Sequence, residues 1–150
     1  MSKKSVLFLA VLLLAPIVLY FLWPSDEARI RRLFREGAQA VESRKVEAVL
    51  DKVSFSYADG NGLNYFGLKE MIKAVFAREK EIHVSYKIDR LDISGKTARA
   101  ELKVNLSRTG GPAADLLPGR QDEPIVMTFT IEKEHGKWLI TKTEGLPMVY

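Results

Sequence analysis

The stretch IHVSYKIDRLDI, Ile82–Ile93, decides the fold. Ile82, Val84, Tyr86 and Ile88 alternate with His83, Ser85, Lys87 and Asp89, a period of two that marks a half-buried strand. The alternation then slips by one, since Leu91 and Ile93 continue it on odd numbers. Such a slip predicts a bulge or bend inside one strand. Upstream of Ile82 the apolar residues recur at helical spacing; downstream they alternate. The chain therefore changes from helices to strands at this point, which predicts an α+β fold with a sheet apolar on one face only.

Working towards the C-terminus, Ser94–Lys96 reads as a turn. Ala98, Ala100, Leu102, Val104 and Leu106 then share one face, with Arg99, Glu101 and Lys103 on the other. A loop rich in Gly and Pro follows, RTGGPAADLLPGRQDEP, with Leu116 and Leu117 as either a partner contact or a cap over the sheet. A third strand is expected over about Ile125–Glu132, with Ile125, Met127, Phe129 and Ile131 facing one way. EHGK is a hairpin turn, and WLITKTE is the last strand.

Working towards the N-terminus, Leu68, Met71, Ile72, Val75 and Phe76 predict one helix, and Val46, Val49, Leu50 and Val53 a shorter one. Ile30, Leu33, Phe34, Gly37 and Val41 predict a third, over roughly 26–43, with Ser25 as its N-cap and Asp26 and Glu27 in its first turn. Gly37 on the apolar stripe predicts close approach to a neighbouring element. The expected order is thus three helices packed on a curved four-stranded antiparallel sheet.

Before them lies VLFLAVLLLAPIVLYFLW, Val6–Trp23, with no charged residue and thirteen Leu, Ile, Val or Phe. As a helix it spans roughly 27 Å, close to the hydrocarbon thickness of a bilayer. It lacks the small-residue cleavage site of a secretory signal, so it reads as an uncleaved transmembrane anchor. The expected division is a cytoplasmic tail over 1–5, an anchor over 6–23 and a folded domain over 24–150. Lys3 and Lys4 favour an N-terminus in the cytoplasm and the domain outside it. Arg29, Arg31, Arg32 and Arg35 oppose that orientation, and they are candidate contacts for anionic headgroups.

The formal net charge is +4, and setting aside Lys3 and Lys4 leaves a basic excess of only two. That balance gives no footprint for nucleic acid. The absence of cysteine excludes disulfides, thiolate nucleophiles and Cys-based zinc sites. Asp59, Asn61 and Glu70 have the spacing of positions 1, 3 and 12 of a calcium loop. Leu63 at position 5 offers no oxygen, and Asn64 replaces the glycine required at position 6. No metal and no cofactor is expected; Asp59–Gly60 and Asn61–Gly62 read as turn formers, and Glu70 as part of the first turn of the following helix.

Taken together, the order of elements, SFSYADGNGLNYFGLKEMI as an aromatic–turn–helix connection, and the ending VMTFTIEKEHGKWLITKTEG resemble the nuclear transport factor 2-like, or SnoaL-like, superfamily. The resemblance covers roughly Asp26–Glu144. It implies a cone-shaped roll, and in the enzymes of that superfamily an Asp or His stands in the pocket between sheet and helices. Here His83 points off the apolar face, His135 falls in a turn, and Glu101 and Arg99 lie on the polar face. The inward positions are aliphatic or aromatic and expected to fill the cone, so general acid–base chemistry lacks its residues. Tyr57, Asp59, Tyr65 and Tyr86 are the candidate pocket residues. Arg99, Glu101, Lys103, Leu116 and Leu117 are the candidate interaction surface. The expected function is a non-catalytic binding domain anchored in the bacterial inner membrane and facing the envelope. Its expected partners are other envelope proteins or a second copy of itself, as sheets of the superfamily pair in dimers. The alternative is a tethered small-ligand carrier or enzyme using the cone.

Overall fold

The computed structural model describes residues 2–108 and 124–146. Leu116 and Leu117 lie outside the described residues. The elements are α1 (Lys3–Leu22), α2 (Asp26–Glu42), α3 (Val46–Leu50), α4 (Tyr65–Arg78), β1 (Ile82–Ser94), β2 (Thr97–Arg108), β3 (Ile125–Glu134) and β4 (Lys137–Glu144). The four strands form one open antiparallel sheet in the order β1-β2-β3-β4.

α1 contains Pro16, has a mean hydropathy of 2.7 over its most apolar window, and buries none of its side chains. It is long and apolar enough to cross a membrane. Three residues, Trp23–Ser25, separate it from α2. Ser25 caps α2, its Oγ accepting from the Ala28 N–H at 3.2 Å, and Asp26 and Glu27 complement the helix dipole in the first turn. α2 lays Ile30, Leu33 and Phe34 on the sheet and also buries Ala40.

The register of β1 against β2 shifts between Ile88 and Arg90, leaving Asp89 as the extra residue of a bulge. That is the physical content of the slipped alternation: Ile88 and Leu91 both face the helices. Both hairpins turn tightly at positive φ, at Gly95 (59°) in one and at His135 (49°) and Gly136 (81°) in the other. The meander therefore places both hairpin tips at one end of the sheet, and the Lys133 N–H donates to the Lys96 carbonyl at 2.8 Å across that end.

A second bulge, unforeseen in the sequence, lies in β4. Ile131 pairs with Ile140 but Thr130 pairs with Lys142, so Thr141 is the extra residue and Thr143 turns towards the helices. The outer edge of β4 is covered by the chain that follows α3. Ile140 N–H donates to Lys52 O (2.9 Å), Ser54 N–H to Ile140 O (2.9 Å) and Ala58 N–H to Thr141 O (3.1 Å).

The core has two parts. Ile30, Phe34, Ala98, Ala100, Ile131 and Trp138 fill the space beneath α2 near the hairpin end. Leu50, Val53, Tyr57, Leu68 and Ile72 join α3 and α4. Fully burying a side chain such as Ile30 or Ile131 contributes about 1.5–3 kcal/mol.

Two local expectations are corrected. Apart from its own stretch of helix, no atom lies within 4 Å of the position a Gly37 Cβ would take, so Gly37 marks open space and not close approach. α4 begins at Tyr65, because the Asn64 Oδ1 accepts from the Gly67 N–H at 2.9 Å. Glu70 therefore lies in its second turn and pairs with Lys73 at 3.0 Å.

A candidate site: an apolar cavity beneath the helices

Gly37 borders a cavity of about 340 Å3 between the helices and the sheet. The expectation of a cone filled by side chains is thus corrected. The strands do point aliphatic groups inward, but α2 and α4 stand apart over the sheet, and Gly37 and Ala38 leave the gap between them unfilled. α4 contributes Met71, Val75 and Phe76, and the sheet contributes Val84, Tyr86, Val104, Met127 and Phe129. Phe129 meets Phe34 edge-on, with ring centroids 5.1 Å apart. The lining strand residues come from the start of β1, the end of β2, the start of β3 and the later part of β4. The cavity therefore occupies the half of the fold remote from the hairpin tips.

Few polar groups line it. Lys52 belongs to an ion pair with Glu36, and that bond holds the Glu36 carboxyl below its ordinary range. Arg78 and Glu79 lie at the end of α4, where the Glu79 carbonyl accepts from Arg44 at 3.2 Å. Deeper in stand Tyr57 and Thr143, only 3 % and 5 % exposed. The Tyr57 hydroxyl is buried and makes no hydrogen bond of acceptable geometry, although Thr143 lies beside it. Burial pushes the phenol's pKa up, partly opposed by Thr143 and reinforced by the Asp59 charge. The phenol stays protonated at neutral pH and can donate one hydrogen bond. Among the described residues no carboxylate–histidine pair borders the cavity, and no cluster of three metal-ligating side chains occurs.

Of the four tyrosine and aspartate candidates, Tyr57 and Tyr86 line the cavity; Asp59 and Tyr65 do not. Asp59 closes a turn, its Oδ1 accepting from the N–H groups of Asn61 (2.9 Å) and Leu63 (2.7 Å). Tyr65 starts α4 and packs against Phe55 and Phe66, with centroids 4.6 and 5.6 Å away. Thr143 was missed from sequence because it sits in the polar run TKTE, where nothing signals that the bulge at Thr141 turns it inward.

Three of the four arginines of α2 bind within the protein. Arg29 donates to the Gly136 carbonyl at 3.1 Å, Arg31 pairs with Glu27 at 3.0 Å and Arg32 with Glu36 at 3.3 Å. Arg35 is exposed. On the far face of the sheet, Arg99, Glu101 and Lys103 are exposed. Arg99 pairs with Glu144 (3.4 Å) and Lys103 with Asp89 (3.3 Å).

The first turn of α2 is fastened to the second hairpin. Asp26 accepts from the Trp138 indole N–H and from Lys133, both at 3.0 Å, with Arg29 3.9 Å away. The indole bond, then the Lys133 bond, lowers the Asp26 pKa. Lys133 also lies over the Trp138 ring, 5.6 Å from its centroid.

No protein-family model matches the sequence, and no curated protein matches it. Solved structures do match its fold. A Bdellovibrio bacteriovorus protein, Bd1075, superposes with a TM-score of 0.65 at 13% identity; the match covers 79% of this chain and 39% of that one. A Nostoc punctiforme protein of unknown function with a cystatin-like fold gives 0.60 at 13% identity, over 79% and 87% of the two chains. A nuclear transport factor 2-like protein of unknown function from Shewanella baltica gives 0.56 at 16%, over 79% and 90%. At such identities the likeness shows the fold alone. The chain shares the α+β fold of these nuclear transport factor 2-like and cystatin-like structures, and an apolar helix precedes that fold.

Proposed function

We propose that this protein is a membrane-anchored, non-catalytic binding domain whose cavity takes a small apolar guest carrying one neutral hydrogen-bond acceptor. The observation that carries the reading is the cavity of about 340 Å3, whose walls are mainly apolar and which holds, beside Thr143 in its deeper part, the buried Tyr57 hydroxyl without a hydrogen-bond partner. That size is at the lower end of small-molecule sites, and such sites are apolar with few placed polar groups. A buried hydroxyl left without a partner costs about 1–3 kcal/mol, and a guest oxygen would recover it. Among the described residues the lining brings no carboxylate and histidine together, which supports binding over turnover. α1 supports anchoring by its length, its composition and its lack of any buried side chain. With Lys3 and Lys4 on the short side, the domain would lie outside the cytoplasm of a bacterial cell.

Two measurements test the two parts. The intact mass of protein recovered from the membrane fraction should retain Met1–Trp23; a soluble product lacking those residues refutes the anchor. For the cavity, a thermal-shift comparison of aryl ketones with the matching hydrocarbons should favour the ketones by roughly the value of one hydrogen bond, about 0.5–1.5 kcal/mol. Equal response in Tyr57→Phe and the unaltered protein would remove Tyr57 from the reading. No response to either series would refute guest binding.

A further inference from the structure

We infer that the end of the fold bearing the two hairpin tips rests on the bilayer, with Lys96 and Lys137 against anionic headgroups, and that the cavity half points away from the membrane. The inference rests on the anchoring part of the reading above and is independent of any guest. Three observations carry it. Only Trp23–Ser25 separate α1 from α2, so the first residue of α2 lies within about 14 Å of the end of α1 even when the connection is extended. That first residue, Asp26, is bonded to Trp138 and Lys133, and Arg29 one turn later is bonded to the Gly136 carbonyl in the hairpin tip. The tether is therefore fastened to the hairpin end and cannot swing to the other.

Charge agrees with that placement. Lys96 and Lys137 are exposed at the two turns, and among the described residues neither forms an ion pair. Glu132 is exposed nearby and offsets part of their charge. On α2, by contrast, Arg31 and Arg32 are held along their own helix by Glu27 and Glu36, and Arg29 by the Gly136 carbonyl, while Arg35 is exposed further along. From Thr97 to Ser107 the sheet runs ten residues, roughly 33 Å, so its two ends are far enough apart to be told apart from a membrane surface.

The absence of cysteine makes the test direct. Full-length protein carrying either Ser94→Cys, at the hairpin end, or Ser107→Cys, at the cavity end, is labelled with a donor dye. Each is reconstituted in phosphatidylcholine vesicles, with and without phosphatidylglycerol, containing an acceptor dye on the lipid headgroups. Energy transfer is expected to be several-fold greater from position 94 than from 107. Combining Ser94→Cys with Lys96→Glu and Lys137→Glu should lower its transfer in the anionic vesicles and leave it unchanged in the neutral ones. Equal transfer from the two sites, or greater transfer from 107, overturns the orientation. Strong transfer from 94 that ignores both lipid charge and the lysine substitutions overturns the headgroup contact. Failure to associate with vesicles overturns the inference together with the anchor, whereas the guest measurements stand apart from all of these outcomes.

Discussion

Two side chains, Asp26 and Tyr57, have opposite hydrogen-bonding fates. Asp26 accepts from Trp138 and Lys133, and this holds its pKa below the usual carboxylate range. A depressed carboxyl contributes stability that is present above its unfolded pKa and is lost as pH falls through its folded one. The midpoint of thermal unfolding should therefore drop on acidification below about pH 4. In Asp26→Asn the acid limb should be shallower, as followed by circular dichroism across pH. Trp138→Phe removes a donor to a charged acceptor and should cost about 1.5–3 kcal/mol in denaturant unfolding. At Tyr57 the sign reverses. Tyr57→Phe deletes an unpartnered buried oxygen, so the empty protein should be as stable as before or gain about 1 kcal/mol, while affinity for an acceptor-bearing guest falls. Sequence alone makes Tyr57 a candidate pocket residue and places Trp138 at the start of the last strand. It did not reveal the partner of either. Asp26 and Trp138 stand 112 residues apart and meet only through the packing of α2 on the sheet.

Between residues and whole, the elements divide by how strongly their pattern is written. The bulge of β1 was visible because both sides of it are apolar, so the slip leaves Ile88 and Leu91 out of step. The bulge of β4 was not, since Thr141, Lys142 and Thr143 carry no contrast between faces. The start of α4 was misjudged because its cap is a side chain, Asn64, within a run of turn formers. The hollow was unforeseen for a related reason: strand parity shows where side chains point, but not how far the opposing helices stand. Gly37 is the test of that distance. Gly37→Ala places a methyl in open space and removes backbone freedom from the unfolded helix, and should stabilise the protein by about 0.5–1 kcal/mol. Gly37→Leu should fit but compete with a guest, and titration of the two variants with the same ketone would separate them.

Over the whole molecule, α1 and the folded domain are energetically separate, because α1 buries nothing against the rest. Removal of residues 1–24 should leave the thermal midpoint of the remainder within a degree or two of full-length protein in detergent. A drop of the size caused by losing a core helix would show otherwise. The join between the parts is the connection Trp23–Ser25, which enters the domain at the knot of Asp26, Trp138, Lys133 and Arg29. Any mechanical load on the tether would meet this knot at the first turn of α2, which shares it with β3 and β4 before it reaches Leu33 and Phe34 at the hollow. Tension would break a few polar bonds at the rim before it deformed the walls around Tyr57, so the domain could be tugged without spilling its contents.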